Sequence, residues 1–245
     1  MTRILALDAS TEACSVALYN RGEVTEFYKL APREHAKLLL PRVEMLLADS
    51  GLTLTQLDAI ACNLGPGAFT GIRIAVAVAQ GLAFGAQLPT IGISSLENMA
   101  YTGFSQASVS SNTGQNSNKH WICAIDARMN EIYMAAYSVS TEGKANCIFE
   151  PCVISPEAVD WSKIGNQESR ARFNLIGSGW QAYQDQLFSD ESGLTPSFLF
   201  ADGYPRAKHS LQLAVKRFNA NEVSQPNELQ PVYLRNNVAK KKATA

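Results

Sequence analysis

Alternating hydrophobic and polar positions, and apolar positions repeating every three to four residues, divide the chain into two similar series of elements. The first series is predicted as three strands, a helix, a strand, a helix, a strand and a helix. Their bounds are 4–8, 14–19, 23–30, 33–50, 57–62, 71–84, 90–93 and 95–102. After a polar interval the same order begins again, over 121–126, 132–139, 145–153, 156–164, 173–176, 180–188, 197–201 and 206–219. This pattern predicts an α/β protein made of two βββαβα halves.

The polar interval at 105–119 is rich in Ser, Asn and Gly, a composition typical of a flexible linker or a long surface loop. We therefore expect a first half over 1–104, a linker or loop over 105–119, and a second, shortened half over 120–245. We also allow for the last helix, 206–219, packing back on the first half.

The repetition extends to individual residues. Residues 4–19 align without a gap with 122–137, and the alignment pairs Asp8 with Asp126, each at the end of the first strand of its half. Two glycine turns, LGPG and IGSG, also correspond, since each follows a strand and precedes a helix. The agreement of element order, aspartates and turns favours an internal duplication over chance.

Composition narrows the class of protein. The 245 residues are 46% hydrophobic and 18% charged, as in a globular protein with a sizeable core. The net charge of −1 predicts no broad basic surface for nucleic acid. Asp8 and Glu12 interrupt any signal peptide, and helix 71–84 is short for a membrane span and carries Arg73 and Gln80. The five cysteines have no CxxC spacing, which favours buried reduced thiols in a cytoplasmic protein.

The segment 65–71, GPGAFTG, lies between a predicted strand and an apolar helix. Gly-Pro-Gly predicts a tight turn, and Thr70 is a candidate N-cap for the helix. Free backbone N–H groups at such a helix start can hold an anion. However, Gly71 is followed by Ile72 and Arg73, so the Walker pattern is absent, and the third glycine comes one residue late for GxGxxG. The segment is a strong structural marker and a weak nucleotide signal.

Two consecutive βββαβα units, each with an aspartate closing its first strand, resemble the actin-like ATPase superfamily, whose halves are ribonuclease-H-like. The resemblance implies a nucleotide in the cleft between the halves, with Asp8 and Asp126 facing its phosphates and metal. Ligands at strand ends between α/β units are also expected on general grounds.

Segments along nearly the whole chain are, in addition, similar to the TsaB family, the bacterial accessory subunits for tRNA threonylcarbamoyladenosine synthesis. They are ILALDAST at 4–11, the block 65–83, GISSLE at 92–97, DAR at 126–128 with EIY at 131–133, and PVYLR at 231–235. The resemblance implies a non-catalytic scaffold that binds and activates a TsaD-like catalytic paralogue. That paralogue transfers the threonylcarbamoyl group to adenosine next to the tRNA anticodon. It further implies a TsaE-like ATPase in the assembled complex, a homodimer when the chain is alone, and contact with tRNA only through the complex.

The resemblance also implies that the TsaD relative binds a metal through two histidines one helical turn apart, after the strand equivalent to 90–93. Ser95 and Met99 stand at those places here, and neither side chain suits a hard or borderline metal. The histidines, His35, His120 and His209, show no ligand spacing and favour surface or capping roles.

The residues after Asp8, Ala9-Ser10-Thr11, lack the glycine that would let the backbone approach a phosphate. We therefore expect no metal, no cofactor and no catalytic residue. Asp8 and Asp126 are interpreted as relics that accept hydrogen bonds from nearby backbone, in preference to a working metal pair.

Two helices carry more apolar surface than one sheet face needs. Helix 71–84 is apolar almost all round, and helix 33–50 has a second apolar stripe with a charged rim, a pattern typical of a protein interface. The predicted partner-binding residues are Leu38, Pro41, Arg42, Met45, Arg73, Val76, Ala77 and Gln80. The alternative is that another element of the same chain covers both stripes.

Two other functions stay open. One is a small-molecule kinase or ATPase that uses Asp8 and Asp126 around a magnesium nucleotide. The other is a peptidase, although Gly-Ser-Gly at Ser178 lacks the GxSxG elbow and the serine is better interpreted as a helix cap. The sequence leaves open whether a nucleotide binds at the partner interface and whether homodimer or heterodimer is preferred. The lysines at 240–242 are interpreted as a solvated terminus.

Overall fold

The computed structural model describes residues 2–110, 119–140 and 144–235, and within them the chain forms two five-stranded sheets. The first sheet contains β1 (Arg3–Asp8), β2 (Ala13–Asn20), β3 (Glu23–Leu30), β4 (Ala59–Asn63) and β5 (Thr90–Ile93), in the order β3-β2-β1-β4-β5. The second contains β6 (His120–Arg128), β7 (Glu131–Val139), β8 (Ala145–Ile154), β9 (Asn174–Ile176) and β10 (Leu199–Phe200), in the order β10-β9-β6-β7-β8.

The helices are α1 (His35–Asp49), α2 (Phe69–Ala86), α3 (Ser95–Ser110), α4 (Gln167–Arg170), α5 (Ser178–Ala182), α6 (Gln184–Leu187) and α7 (Ala207–Asn219). In both sheets the first three strands of the half are antiparallel neighbours, and the fourth and fifth strands run parallel to the first. The strand order of the second half, β8-β7-β6-β9-β10, therefore repeats that of the first, and the predicted fold of two duplicated βββαβα halves is confirmed.

Alternation along β1 separates the core of the first half into two layers. Leu5 and Leu7 point to the face covered by α1 and α2, whereas Ile4 and Ala6 point to the opposite face, where they pack with Leu211 of α7. Each half thus supplies its last helix to the other sheet. α7 packs on β1, β2, β4 and β5, and α3 packs on β6 and β7.

The helix α3 continues through Ser110, so part of the expected linker at 105–119 is helical. Ala107 is fully buried, because this last part of α3 lies in the core layer it shares with β6 and β7. Burial of one face of α3 stabilises the helix here, although the polar composition of this segment suggested a loop. Residues 111–118 and the lysines at 240–242 lie outside the described residues.

Two predicted helices of the second half differ from the structure. The segment 156–164 forms two short 3₁₀ turns, Pro156–Ala158 and Trp161–Lys163, and Asp160 caps the second of them. The helix expected over 180–188 is divided into α5 and α6 at Tyr183, whose φ of −132° is not helical. Apolar spacing alone does not reveal such interruptions, since both forms bury the same side chains.

α2 begins at Phe69, two residues earlier than expected, and its N-cap is Ala68 rather than Thr70. At 18 residues with a mean hydropathy of 1.4, α2 is long and apolar enough to cross a membrane by length and composition. The length argument from the sequence was therefore wrong. In the fold, α2 packs on β4 and β1 and contacts α1.

Candidate functional site

The end of β1 places Asp8 inside the protein rather than in an open cleft. Its carboxylate is 1% exposed and accepts two hydrogen bonds of 2.8 Å, one from the Ser10 backbone N–H and one from the Asn63 side-chain amide. Burial raises the pKa of Asp8 from 3.8 to about 6, although these hydrogen bonds act in the opposite direction. A buried carboxylate with donors on both oxygens has little capacity left for a metal ion or a phosphate.

A buried chain of polar side chains leads from Asp8 to α7. The Ser210 hydroxyl donates to Asn63 Oδ1 over 2.7 Å, and the Asn98 amide donates to Ser210 Oγ over 2.6 Å. Asn98 also donates to the Arg206 carbonyl and accepts the Arg206 N–H. One line of donors runs from Asn98 through Ser210 and Asn63 to the Asp8 carboxylate, so the network joins β1, β4, α3 and α7 at one buried point.

Asp126, which aligns with Asp8 but lies two residues before the end of β6, has a different set of partners. Its carboxylate accepts the Arg128 backbone N–H and the Arg128 guanidinium, both at 2.8 Å, and the Tyr183 hydroxyl at 3.2 Å. Arg128 also extends across to Glu12 of the first half, with 3.3 Å between nitrogen and oxygen. A cation belonging to the chain itself therefore lies between the two acidic groups.

Glu12 and Arg128 both line two cavities at the junction of the halves, of about 560 and 210 Å³. The larger cavity also includes Arg33 and Gly71, and the smaller one includes Asp126. The Glu12–Arg128 ion pair accordingly separates the region next to α2 from the region next to Asp126.

The glycine turn before α2 is filled by the chain's own backbone. The Ala68 N–H donates to the Ser10 carbonyl over 2.7 Å. A Cβ atom added to Gly67 or to Gly71 would lie 2.0 Å from the carbonyl oxygen of Ser10 or Ala9, respectively. These glycines allow the turn to press against the residues that follow β1. The contact occupies the place where a phosphate would have to approach the backbone.

Ser95 and Met99, at the positions where the resemblance implies histidines in the TsaD relative, are both buried at the start of α3. The Met99 methyl group lies against Gly177, where an added Cβ would be 2.4 Å away. Within residues 2–110, 119–140 and 144–235, no group of three or more His, Cys, Asp or Glu side chains could hold a metal ion.

The histidines lie on separate elements, α1, β6 and α7. His35 and His209 are 7% and 3% exposed, so the expected surface or capping role was wrong for them. Burial lowers the pKa of His209 to about 3, and this imidazole is therefore neutral. Three cysteines are buried as expected, but Cys147 on β8 is exposed.

The predicted partner-binding residues fall into two groups. Pro41, Met45 and Ala77 are exposed, and Leu38 is half-buried at the edge of the core. Val76 is only 4% exposed and belongs to the core, because the sheet takes that side of α2. Val76 is therefore not available on a surface, and its assignment to the interface was wrong.

The charged members have partners within the chain. Arg42 lies over the ring of Phe27 on β3, 4.2 Å from its centroid. Arg73 lies 3.7 Å from the Phe69 ring centroid and donates to the Tyr233 hydroxyl over 2.7 Å.

The Gln80 amide donates to the Leu229 carbonyl over 2.9 Å. The segment Leu229–Tyr233 therefore covers one side of α2, which is in part the alternative left open by the sequence. Between this segment and α2 remains a groove of about 380 Å³ that includes Ala77.

Several residues at the site were not found from the sequence. Asn63 is the last residue of β4 as Asp8 is the last residue of β1, so polarity at parallel strand ends was an available signal. Exposed apolar side chains that extend the surface of α1 and α2 are Leu40, Phe69 and Phe84, with exposed fractions of 42%, 52% and 79%. We call the exposed side chains of Leu40, Pro41, Met45, Ala77 and Phe84 the α1–α2 face.

Comparison with known proteins identifies relatives along the whole chain. Residues 28–243 match the family model of TsaD, tRNA N6-adenosine threonylcarbamoyltransferase. The tRNA threonylcarbamoyladenosine biosynthesis protein TsaB of Escherichia coli is 41% identical over 243 residues, 98% of this chain and 97% of the relative. The protein of the same name from Haemophilus influenzae is 41% identical over 244 residues, 98% and 96% of the two chains.

Solved structures agree with these relatives. YeaZ from Pseudomonas aeruginosa superposes with a TM-score of 0.81 at 36% identity, covering 96% of this chain and all of that one. A Pseudomonas aeruginosa crystal structure described as an uncharacterized protein with similarity to peptidase YeaZ gives a TM-score of 0.81 at 37% identity and the same coverage. The near-complete coverage, the identity with curated TsaB proteins and the shared fold lead to one conclusion: the chain belongs to the TsaB family.

Proposed function

We propose that this protein acts in the biosynthesis of tRNA threonylcarbamoyladenosine as a non-catalytic scaffold in the cytoplasm. It binds and activates a TsaD-like catalytic paralogue, assembles with a TsaE-like ATPase, and pairs with a second copy of itself when the paralogue is absent. It contacts tRNA only within the complex. Membership of the TsaB family supports a part in tRNA threonylcarbamoyladenosine biosynthesis. The geometry of the site supports a non-catalytic part in it.

One observation supports the non-catalytic role: groups of the chain itself occupy the acceptors and donors that a metal ion and phosphates would need. Asp8 is buried with donors on both carboxylate oxygens, and the Ala68 N–H is taken by the Ser10 carbonyl. Asp126 is paired with Arg128. A kinase or ATPase would need these groups for a metal and phosphates, so each contact argues against the alternative.

The peptidase alternative has no support at Ser178. Its hydroxyl accepts the Asp126 backbone N–H at 3.2 Å, at the start of α5. Neither of the buried histidines, His35 on α1 and His209 on α7, is among the residues hydrogen-bonded to it. A serine nucleophile needs a base within hydrogen-bond reach.

The α1–α2 face supports partner binding. Met45 is 47% exposed and Phe84 79% exposed, on two helices that lie in contact with each other. Exposed apolar side chains next to Arg73 and Glu44 have the composition of an interface core with a charged rim. Ala77 lies near the middle of the exposed side of α2, where a partner helix could approach closely.

The test is Ala77→Glu, with Ala158→Glu as the matched control on the second half. A carboxylate at residue 77 would be buried in the apolar contact of the complex, at a cost of several kcal/mol. Arg73, one turn away, is already engaged with Phe69 and Tyr233. We expect Ala77→Glu to keep the melting temperature of the wild type but to lose co-elution with the TsaD-like paralogue and stimulation of tRNA modification. Ala158 is also exposed, so Ala158→Glu should retain both.

A folded Ala77→Glu protein that still binds and stimulates its paralogue would show that the interface lies elsewhere. Catalysis of threonylcarbamoyl transfer by the chain alone would exclude a scaffold role altogether. Magnesium-dependent binding of ATP to the isolated chain would revive the ATPase alternative.

A further inference from the structure

The C-terminal segment Leu229–Arg235, which we call the strap, is fixed to the first half along α2. Leu229 is buried in the core of that half, and its carbonyl accepts the Gln80 amide. The Val232 N–H donates to the Leu64 carbonyl over 2.8 Å, just before the glycine turn. The Tyr233 ring packs against the Phe69 ring at a tilt of 38°, with ring centroids 5.5 Å apart. The strap is thus held by three independent kinds of contact.

The end of the strap binds the other half. Arg235 donates from Nε to Glu131 over 2.8 Å, and one terminal nitrogen donates to the carbonyls of Ala127 and Arg128 at 3.0 and 3.2 Å. The same nitrogen also contacts the Glu131 carboxylate. The Arg235 side chain is only 16% exposed. These acceptors lie at the end of β6 and the start of β7, so the planar guanidinium binds both sides of the turn that joins the two strands.

The turn between β6 and β7 has three consecutive residues with positive φ. Arg128, Met129 and Asn130 have φ values of +61°, +59° and +60°. Asparagine tolerates this left-handed conformation, but arginine and methionine do so only at a cost of about 1 kcal/mol each. The register of β6 and β7 also shifts between Asp126 and Arg128. The contacts that Arg235 makes on both sides of the turn stabilise this form.

The conformation of this turn decides where Arg128 points. With the turn as observed, the Arg128 guanidinium lies between Asp126 of its own half and Glu12 of the other. We propose that the strap is an internal clamp: Arg235 holds the left-handed β6–β7 turn and thereby keeps the exposed Arg128 side chain at the junction, paired with Glu12 of the first half. Arg235 is a positioning residue in this device and does not itself reach the cavities.

Hydrogen–deuterium exchange of the full chain tests the clamp. Arg235→Ala should raise amide exchange about tenfold in the strap and in residues 127–131. It should raise exchange by a smaller factor in residues 10–13 around Glu12, because the Glu12–Arg128 ion pair is exposed. Arg235→Lys keeps the charge but not the planar fork, so it should raise exchange in 127–131 to an intermediate degree. Arg128→Ala should raise exchange in 127–131 and 10–13 but leave the strap protected, because Arg235 remains in place.

Arg172→Ala is the matched control, since Arg172 pairs only with Glu168 on the surface of the second half. It should change exchange in none of the three regions. Exchange in 127–131 of Arg235→Ala within twofold of the wild type would overturn the proposal. An increase in amide exchange confined to the strap would also overturn the proposal, because Arg235 would then stabilise the strap and not the β6–β7 turn. If Arg235→Ala does not fold, the same comparison is made with Arg235→Lys.

Discussion

Replacing Asp8 with asparagine should remove a pH dependence from the stability of the protein. Burial raises the pKa of Asp8 from 3.8 to about 6 in the folded state, so the folded chain holds the proton more tightly than the unfolded chain. The corresponding stability is fully present below pH 4 and is lost as the pH rises through 6. Because a tenfold difference in proton affinity corresponds to about 1.4 kcal/mol, the whole effect is about 3 kcal/mol.

Asparagine carries no charge at any pH, and Asp8→Asn should lack this change. Its amide must place an NH₂ group against either the Ser10 N–H or the Asn63 amide, both of which are donors. That mismatch costs about 1–3 kcal/mol unless Asn63 turns over and reverses its bond to Ser210. The variant should therefore be less stable than the wild type in acid, and the difference should narrow or invert at neutral pH.

Urea unfolding followed by tryptophan fluorescence can measure this, because Trp121 and Trp180 are buried. Between pH 4.5 and 7.5 the free energy of unfolding of the wild type should fall by about 2 kcal/mol relative to Asp8→Asn. Asp190→Asn, at an exposed carboxylate, is the control and should follow the wild type. A difference between wild type and Asp8→Asn that stays constant across this range would refute the reasoning.

The remaining predictions concern the glycine turn, metals and RNA. Gly71→Ala should destabilise the protein by several kcal/mol in chemical denaturation, since its Cβ would lie 2.0 Å from the Ala9 carbonyl oxygen. In the control Gly81→Ala the added Cβ has nothing within 4 Å, so this variant should be neutral or stabilise α2. Equal effects of the two substitutions on the free energy of unfolding would contradict the close approach at Gly71. Metal analysis of the purified chain should find no stoichiometric iron or zinc, because the described residues contain no group of three or more His, Cys, Asp or Glu that could hold a metal ion. One tightly held metal per chain would overturn this. Filter binding should detect little affinity of the isolated chain for tRNA at physiological salt, because its net charge is −1. Micromolar, salt-sensitive binding would contradict the proposal that the chain contacts tRNA only within the complex.

The parts of the fold that were predictable depend on local pattern. The alignment of Asp8 with Asp126 follows from hydrophobic alternation and a repeated strand end, and both signals lie within a few residues. The partner of Asn63 could not be predicted, because Ser210 reaches it from 147 residues further along the chain. Val76 was misplaced for a related reason: α2 is apolar almost all round, and periodicity does not say which stripe the sheet will take.

The exchange of final helices between the two halves has a consequence for how the chain is made. A ribosome releases β1 to β5 first, but the sheet they form has one bare apolar face, with Ile4, Ala6 and Ile91, until Leu211 on α7 has been synthesised. The N-terminal half therefore stays incompletely folded until nearly the entire polypeptide has been synthesised. β6 and β7, in contrast, find α3 already present when they emerge. A gene fragment that ends after α3 should consequently yield an aggregation-prone product, because the two similar halves do not mature as separate units.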